Sequence, residues 1–305
     1  MPELPEVETI RRGLAEVLPG KRIRRFTLKL PKLFSATAPA TRSGLSGATV
    51  LRVERRGKAL LIGLSSGCTL VIHLKMTGQL IYREAPPQRG SMGRIVLAGG
   101  HPIPAIGPER MRLPGKVTHA TIVFADGSRL FYNDLRQFGY LKLLPTDRVA
   151  TLPFLETLGP EPLARTFTLE RFAALLKRRS SAKLKPLLLD QTAIAGLGNI
   201  YVDEALNLAR LHPLRTAGSL TKPQRAALHA AIRQVLRDSL RAGGTSDNTY
   251  VTIRGERGDY LRRARVYHRT GEPCRRCGSR IRRIVVVGRG THVCPRCQPA
   301  PRIPR

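Results

Sequence analysis

The sequence predicts an α+β multidomain chain: an antiparallel β domain carrying an N-terminal helix, an α domain, and a C-terminal β-hairpin held by cysteines. Three observations predict it. Short runs rich in β-formers fill the first half, apolar residues recur at helical spacing between residues 169 and 241, and two Cys-x2-Cys pairs stand near the end. A length of 305 residues holds two or three domains, and 42% hydrophobic residues supply their cores. The divisions fall at 1–145, 150–245 and 246–305, with the hairpin in about 268–298.

The chain opens MPELPEVETI, and Val7, Ile10, Leu14, Val17 and Leu18 keep the helical period as far as Pro19-Gly20. Pro5 in the first turn, with Glu3, Glu6 and Glu8 near the positive end, already satisfies the preferences of a helix start. Those residues need no chemical role on that ground alone. Strand-like runs follow at Val50 to Arg55, Ala59 to Leu64, Thr69 to Leu74, Gln79 to Tyr82, Thr118 to Phe124 and Ser128 to Tyr132. Ser65-Ser66-Gly67 and Asp126-Gly127 are hairpin turns between them. Residues 85–116 shift to Pro, Gly and scattered basics, which reads as a long exposed loop. Beyond Pro145, Leu169 to Arg178, Leu184 to Asp190, Asn199 to Ala209 and Pro223 to Arg241 read as helices, the last framed by Thr221 and Gly243-Gly244. From Ser246 the helical period is lost, and the final 60 residues hold 15 Arg against 4 acids.

Charge points to a polyanionic partner. Lys and Arg number 53 against 21 acids, a formal net charge of +32 spread along the chain. Each phosphate met by a cation releases counterions, which favours binding to nucleic acid; a basic surface of the ribosomal kind has the same composition. The chain lacks 18 consecutive apolar residues and a basic, apolar leader, which excludes a membrane span and a signal peptide.

Five cysteines do not make a disulfide framework at this length. Cys274, Cys277, Cys294 and Cys297 form C-x2-C-x16-C-x2-C, two knuckles that present four thiolates to one tetrahedral Zn²⁺. Four sulfurs leave no open position, so the zinc is structural. Arg289, between Gly288 and Gly290, then sits at the hairpin tip, while Cys68 reads as a small core residue. In DQTAIAGLGNIYVDEAL a glycine turn enters a helix whose free N–H groups, with the Asn199 amide, can bind phosphate. Gly196 and Gly198 also suit a plain helix-helix turn.

Taken together, MPELPEVET, RRGKAL around Lys58, HLKMTG around Met76, LRQFG at 135–139, LLLDQTAIAGLGNIY and GRGTHVCPRCQ resemble the formamidopyrimidine-DNA glycosylase family of bacterial base-excision repair enzymes. The resemblance implies an N-terminal β-sandwich with its first helix, a helix-two-turn-helix domain and a C-terminal zinc finger, with double-stranded DNA as partner. It implies excision of oxidised purines such as 8-oxoguanine and formamidopyrimidines, strand cleavage by β,δ-elimination, and a monomer in the bacterial cytoplasm.

By the same resemblance, Pro2 freed of Met1 is a secondary amine that attacks the sugar C1′, Glu3 is the general acid/base, and Glu6 orients the pair. Lys58 serves β-elimination, and Arg289 serves phosphate binding and δ-elimination. Met76, Arg136 and Phe138 match a triad inserted where the target base leaves the helix; Lys185, Asn199 and His119 match DNA contacts. Leu4 differs from the PEGPE start usual in the endonuclease VIII branch, which prefers oxidised pyrimidines. The stretch Val117-Thr118-His119 lacks the first histidine of the H-x-H often found there, and Leu135 and Gln137 replace the Pro and Arg/Lys often found in the 135–139 loop. Two alternatives stand beside the main reading: an endonuclease VIII-like glycosylase for oxidised pyrimidines, and a non-catalytic zinc-ribbon protein that binds nucleic acid.

Overall fold

In a computed structural model the chain is described over residues 2–36, 42–88, 93–100, 112–245 and 259–301. It divides into two compact units, Met1–Glu156 with Gly243–Gly258, and Thr157–Ala242 with Asp259–Arg305.

In the first unit, helix α1 (Leu4–Val17) begins with Pro5 in its first turn and buries Val7, Ile10 and Leu14 along one face. Leu18, just beyond, joins them in the core. Burial of an aliphatic side chain contributes about 1.5–3 kcal/mol, so four such residues outweigh the few tenths that propensity adds, and this face decides where the helix docks.

Among the described residues ten strands follow: β1 (Ile23–Leu28), β2 (Phe34–Ala36), β3 (Val50–Arg56), β4 (Ala59–Leu64), β5 (Cys68–His73), β6 (Gly78–Arg83), β7 (Ile95–Gly100), β8 (Thr118–Phe124), β9 (Arg129–Asp134) and β10 (Tyr140–Pro145). They make two five-stranded sheets, β1-β8-β9-β6-β7 and β2-β10-β5-β4-β3. Pairing is antiparallel except between β10 and β2. Leu60, Ile62 and Leu70 of one sheet meet Leu80, Tyr82 and Ile122 of the other in a shared core, the arrangement of a β-sandwich. A short helix, α2 (Pro153–Glu156), follows.

The exposed loop expected at 85–116 needs correction. Within it, Ile95–Gly100 forms a strand at the sheet edge paired with β6, and Val96, Leu97 and Ala98 are buried. Prolines and glycines on either side dominated the composition and hid a run of four apolar residues, which α1 covers. Of the same expected loop, residues 89–92 and 101–111 lie outside the described residues, as does the aperiodic stretch 246–258.

The second unit holds α3 (Leu169–Arg178), α4 (Leu184–Leu189), α5 (Asn199–Leu208), α6 (Lys222–Arg241) and the short α7 (Tyr260–Arg263), then the hairpin of β11 (Arg282–Val286) and β12 (Arg289–Val293). Thr221 caps α6 through the Gln224 N–H, in a capping box with Pro223 in the first turn. Phe172, Leu188, Tyr201, Val202, Ile232 and Val235 share the helical core. The segment leading to the cysteine hairpin is fastened to α5: the buried Glu204 carboxylate accepts the N–H groups of Arg265 (2.7 Å), Val266 (2.9 Å) and Tyr267 (2.9 Å). Burial pushes that carboxyl up, and the three backbone N–H groups oppose the shift. Among the described residues no helix is long and apolar enough to cross a membrane.

Candidate catalytic and nucleic-acid-binding site

Pro2, Glu3 and Glu6 come together at the start of α1, all buried. Glu3 is the N-cap, and its N–H donates to Glu6 Oε2 at 2.8 Å as half of a capping box. The other Glu6 oxygen accepts from the Thr245 N–H (2.9 Å) and hydroxyl (2.8 Å). Glu6 therefore joins the helix start to the chain after α6, a partner 239 residues away that no local pattern reveals. Gly244 has φ +91°, and a side chain there would press on Glu6 Oε1 at 3.3 Å. A carboxylate so occupied on both oxygens holds Glu3 in place, and the Glu3 carboxyl in turn accepts the Glu6 N–H as the other half of the capping box, one residue from Pro2.

Lys58 is buried at the turn between β3 and β4. That turn is tied to α1 by Glu8: Arg55 donates to Glu8 Oε2 at 3.1 Å and to the Gly57 carbonyl at 2.7 Å. Burial alone would raise the Glu8 carboxyl, but Arg11 and Arg55 hold it below the usual range, so it stays an anion. Next to Lys58, Ala59 pairs with His73 across β4 and β5. Burial first, then the charges of Lys75 and Lys58, hold His73 at about 3, so the ring is neutral at pH 7 and accepts the Lys75 N–H on Nδ1 at 3.0 Å.

The Met76, Arg136 and Phe138 side chains meet. The Arg136 guanidinium lies 4.6 Å from the Phe138 ring centre and donates to Met76 Sδ at 3.2 Å. Met76 and Phe138 are 41% and 52% exposed, and with Leu135 they are three of the six exposed large hydrophobic residues among those described. Unlike core Met and Phe, these two are held out in solvent. Asp134 does the holding. Its fully buried carboxylate accepts from the Thr77 hydroxyl, the Gly139 N–H (2.8 Å), the Arg136 N–H (3.2 Å) and the Tyr132 hydroxyl (3.2 Å). Burial, then the charge and hydrogen bond of Asp134, push the Tyr132 phenol far above its usual range, so it remains a donor. Gly139 is required by close approach, because a Cβ there would lie 2.0 Å from the Tyr132 hydroxyl.

His119, expected among the DNA contacts, is buried and places Nε2 2.8 Å from the Asp134 carbonyl. A register shift between Thr118 and Ala120 turns it inward, where it braces the loop from behind.

Lys185, also expected as a contact, is wholly buried in the second unit, with Nζ 2.6 Å from Asp203 Oδ1. Asn199 opens α5 as expected, yet its Nδ2 donates to the Gly290 carbonyl at 3.0 Å. Both side chains thus point to the finger, where Lys185 Nζ and Asn199 Nδ2 meet at the Gly290 carbonyl. The turn before α5 is braced by Gln191, which donates to the Leu189 and Leu197 carbonyls and accepts the Gly196 N–H at 2.9 Å. Arg289 is exposed at the start of β12, after a two-residue turn in which Val287 and Gly288 both have positive φ, +49° and +67°.

The Sγ atoms of Cys274, Cys277, Cys294 and Cys297 all lie within 4.8 Å of one another. Two of the separations are 4.0 and 3.4 Å. A tetrahedron of Zn–S bonds of about 2.3 Å has sulfurs about 3.8 Å apart, so the set fits one structural zinc. Its second knuckle is keyed to α5 by Gln298, whose Oε1 accepts from Asn207 Nδ2 (2.8 Å) and the Cys294 N–H (3.1 Å).

Comparison with known proteins agrees along the whole chain. Family models for the formamidopyrimidine-DNA glycosylase N-terminal domain, its H2TH domain, and the zinc finger found in FPG and IleRS match residues 1–141, 158–251 and 271–300. The formamidopyrimidine-DNA glycosylase of Heliobacterium modesticaldum is 45% identical over 98% of this chain and 100% of its own length; that of Pelotomaculum thermopropionicum is 42% identical over 98% and 99%. Among solved structures, a Lactococcus lactis FPG mutant bound to Fapy-dG-containing DNA superposes with a TM-score of 0.83 at 35% identity, covering 98% of this chain and 100% of that one. MutM bound to DNA containing carbocyclic 8-oxo-G gives 0.81 at 34% identity over the same shares. With a glutamate-capped helix at its start, a sandwich, a helical unit and a four-cysteine hairpin in the family's order, this chain belongs to the formamidopyrimidine-DNA glycosylase family.

Proposed function

We propose that this chain is a bifunctional DNA glycosylase and AP lyase acting on duplex DNA that carries oxidised purines, 8-oxoguanine and formamidopyrimidines among them. The observation that carries the reading is the start of α1, where buried Pro2 immediately precedes the buried N-cap residue Glu3, whose N–H Glu6 holds.

In this mechanism the Pro2 amine, once Met1 is removed, attacks C1′ and the bond from C1′ to the base breaks; the nitrogen gives up its proton and Glu3 protonates O4′, so that the C1′–O4′ bond opens as the iminium forms. A secondary amine forms an iminium that is cationic without any proton, which acidifies C2′. Loss of a C2′ proton drives the electron pair to expel the 3′ phosphate, with Lys58 assisting. A second elimination expels the 5′ phosphate with Arg289 on the leaving group, and hydrolysis frees Pro2. Met76, Arg136 and Phe138 fill the space of the everted nucleotide. Unstacking costs a few kcal/mol, and an apolar wedge already exposed and rigid offsets part of it.

The zinc holds the hairpin that carries Arg289. Functional parts at 1–145, 150–245 and 246–305, a monomeric state and an intracellular location on chromosomal DNA complete the reading. Borohydride trapping tests it. A covalent adduct should form with duplex carrying a single 8-oxoguanine and vanish in Pro2→Gly; no adduct with any lesion would leave only a DNA-binding protein. Faster turnover of oxidised pyrimidines on a panel of single-lesion duplexes would favour the endonuclease VIII-like alternative.

A further inference from the structure

We propose that Asp203 is a positioning residue for Arg289, acting through Lys185, His292 and the Gly290 carbonyl; this rests on the reading of Arg289 as the cation of the second elimination. Asp203 lies one turn into α5 and is 1% exposed. Both of its oxygens serve the hairpin. Oδ2 accepts the His292 N–H at 2.8 Å and lies 3.2 Å from His292 Nδ1, while Oδ1 holds Lys185 Nζ at 2.6 Å. Lys185 in turn donates to the Gly290 carbonyl at 3.3 Å, where Asn199 Nδ2 also arrives at 3.0 Å.

So one buried carboxylate fixes β12 at His292 directly and at Gly290 through Lys185, leaving Arg289 as the next residue out, exposed and beyond the last anchor. A buried ion pair is a poor source of stability. Here the pair supplies direction instead. Around the two-residue turn at the hairpin tip, Val285 and Val287 are 66% and 72% exposed, and of the three valines there only Val286, which pairs with Arg289, is buried. The anchors at Gly290 and His292 then determine where the guanidinium points, and a misplacement of about 1 Å can cost about a hundredfold in a step that needs alignment.

The test uses full-length, zinc-loaded protein and a duplex with a single abasic site, and it measures the ratio of β,δ- to β-elimination product. Asp203→Asn should lower that ratio by about tenfold or more while borohydride trapping at Pro2 stays within about twofold. Arg289→Ala should lower it as far, and the double variant should fall no further. His292→Phe keeps the backbone donor and loses only the ring contact, so it should give a smaller fall in the same direction. It carries the test if Asp203→Asn fails to fold. A folded Asp203→Asn protein with the parent's ratio overturns the proposal. So does a further, additive fall in the double variant, or a His292→Phe protein with an unchanged ratio where Asp203→Asn does not fold. If the parent makes no δ product, or Arg289→Ala leaves the ratio unaltered, the reading of Arg289 itself fails and this inference goes with it; loss of trapping in the parent would instead count against Pro2.

Discussion

Replacing Asp134 by asparagine changes one atom in the residue that holds the Met76, Arg136 and Phe138 cluster. The carboxylate accepts from four donors: the Thr77 and Tyr132 hydroxyls and the Arg136 and Gly139 N–H groups. An amide keeps one acceptor oxygen and turns an NH2 toward the remaining donors. Each buried donor left without an acceptor costs about 1–3 kcal/mol. Two such donors cost about 2–6, and because the 135–138 loop is exposed, water recovers part of that, leaving about 2–4 kcal/mol. For a unit of this size the loss corresponds to a Tm lowered by about 4–16 °C. Calorimetry of the parent and of Asp134→Asn measures it, and fluorescence anisotropy with a duplex carrying a stable abasic analogue follows the wedge. Affinity should fall about tenfold, because a loosened loop must be ordered again on binding. A variant within about 0.5 kcal/mol of the parent, with unchanged affinity, would refute the idea that Asp134 organises the loop.

Glu3→Gln should retain lesion binding and lose base excision, which single-turnover assays on an 8-oxoguanine duplex measure; near-normal excision would remove Glu3 from its role. Chelation of the metal should abolish hydrogen-exchange protection across 268–298 and weaken DNA binding while the sandwich strands stay protected, since the two compact units have separate cores. His73 is held at about 3, below its usual 6.5, so folding is favoured most above pH 6.5 and loses up to about 1.4 kcal/mol per pH unit as acid protonates the unfolded histidine down to about pH 3. Urea midpoints between pH 6.5 and 5 should therefore fall more steeply for the parent than for His73→Phe. Val287 occupies φ +49° at 72% exposure, a strained place for a β-branched side chain, so Val287→Gly should stabilise the finger by about 1 kcal/mol and slow metal loss to a chelator.

By itself the sequence determined the elements whose signals are local. Apolar residues at helical spacing marked α1, α3 and α6, the Ser-Ser-Gly and Asp-Gly turns marked hairpins, and four cysteines in two knuckles specified a metal site whose sulfurs do converge. The PELPEVE start marked a helix whose first turn gathers Pro2, Glu3 and Glu6, since neighbours within one turn of a helix must be neighbours in space. Tertiary structure decided what depends on distant partners. β7 was hidden inside a stretch rich in proline and glycine because its strand character comes from pairing with β6 and cover from α1. His119 and Lys185 carry no mark in the sequence that separates a surface contact from a buried brace; a shifted register and a carboxylate on α5 turn them inward. The same holds for Asp134, Gln191 and Asp203, ordinary polar residues in sequence whose importance lies in the several hydrogen bonds each one makes once the chain has folded.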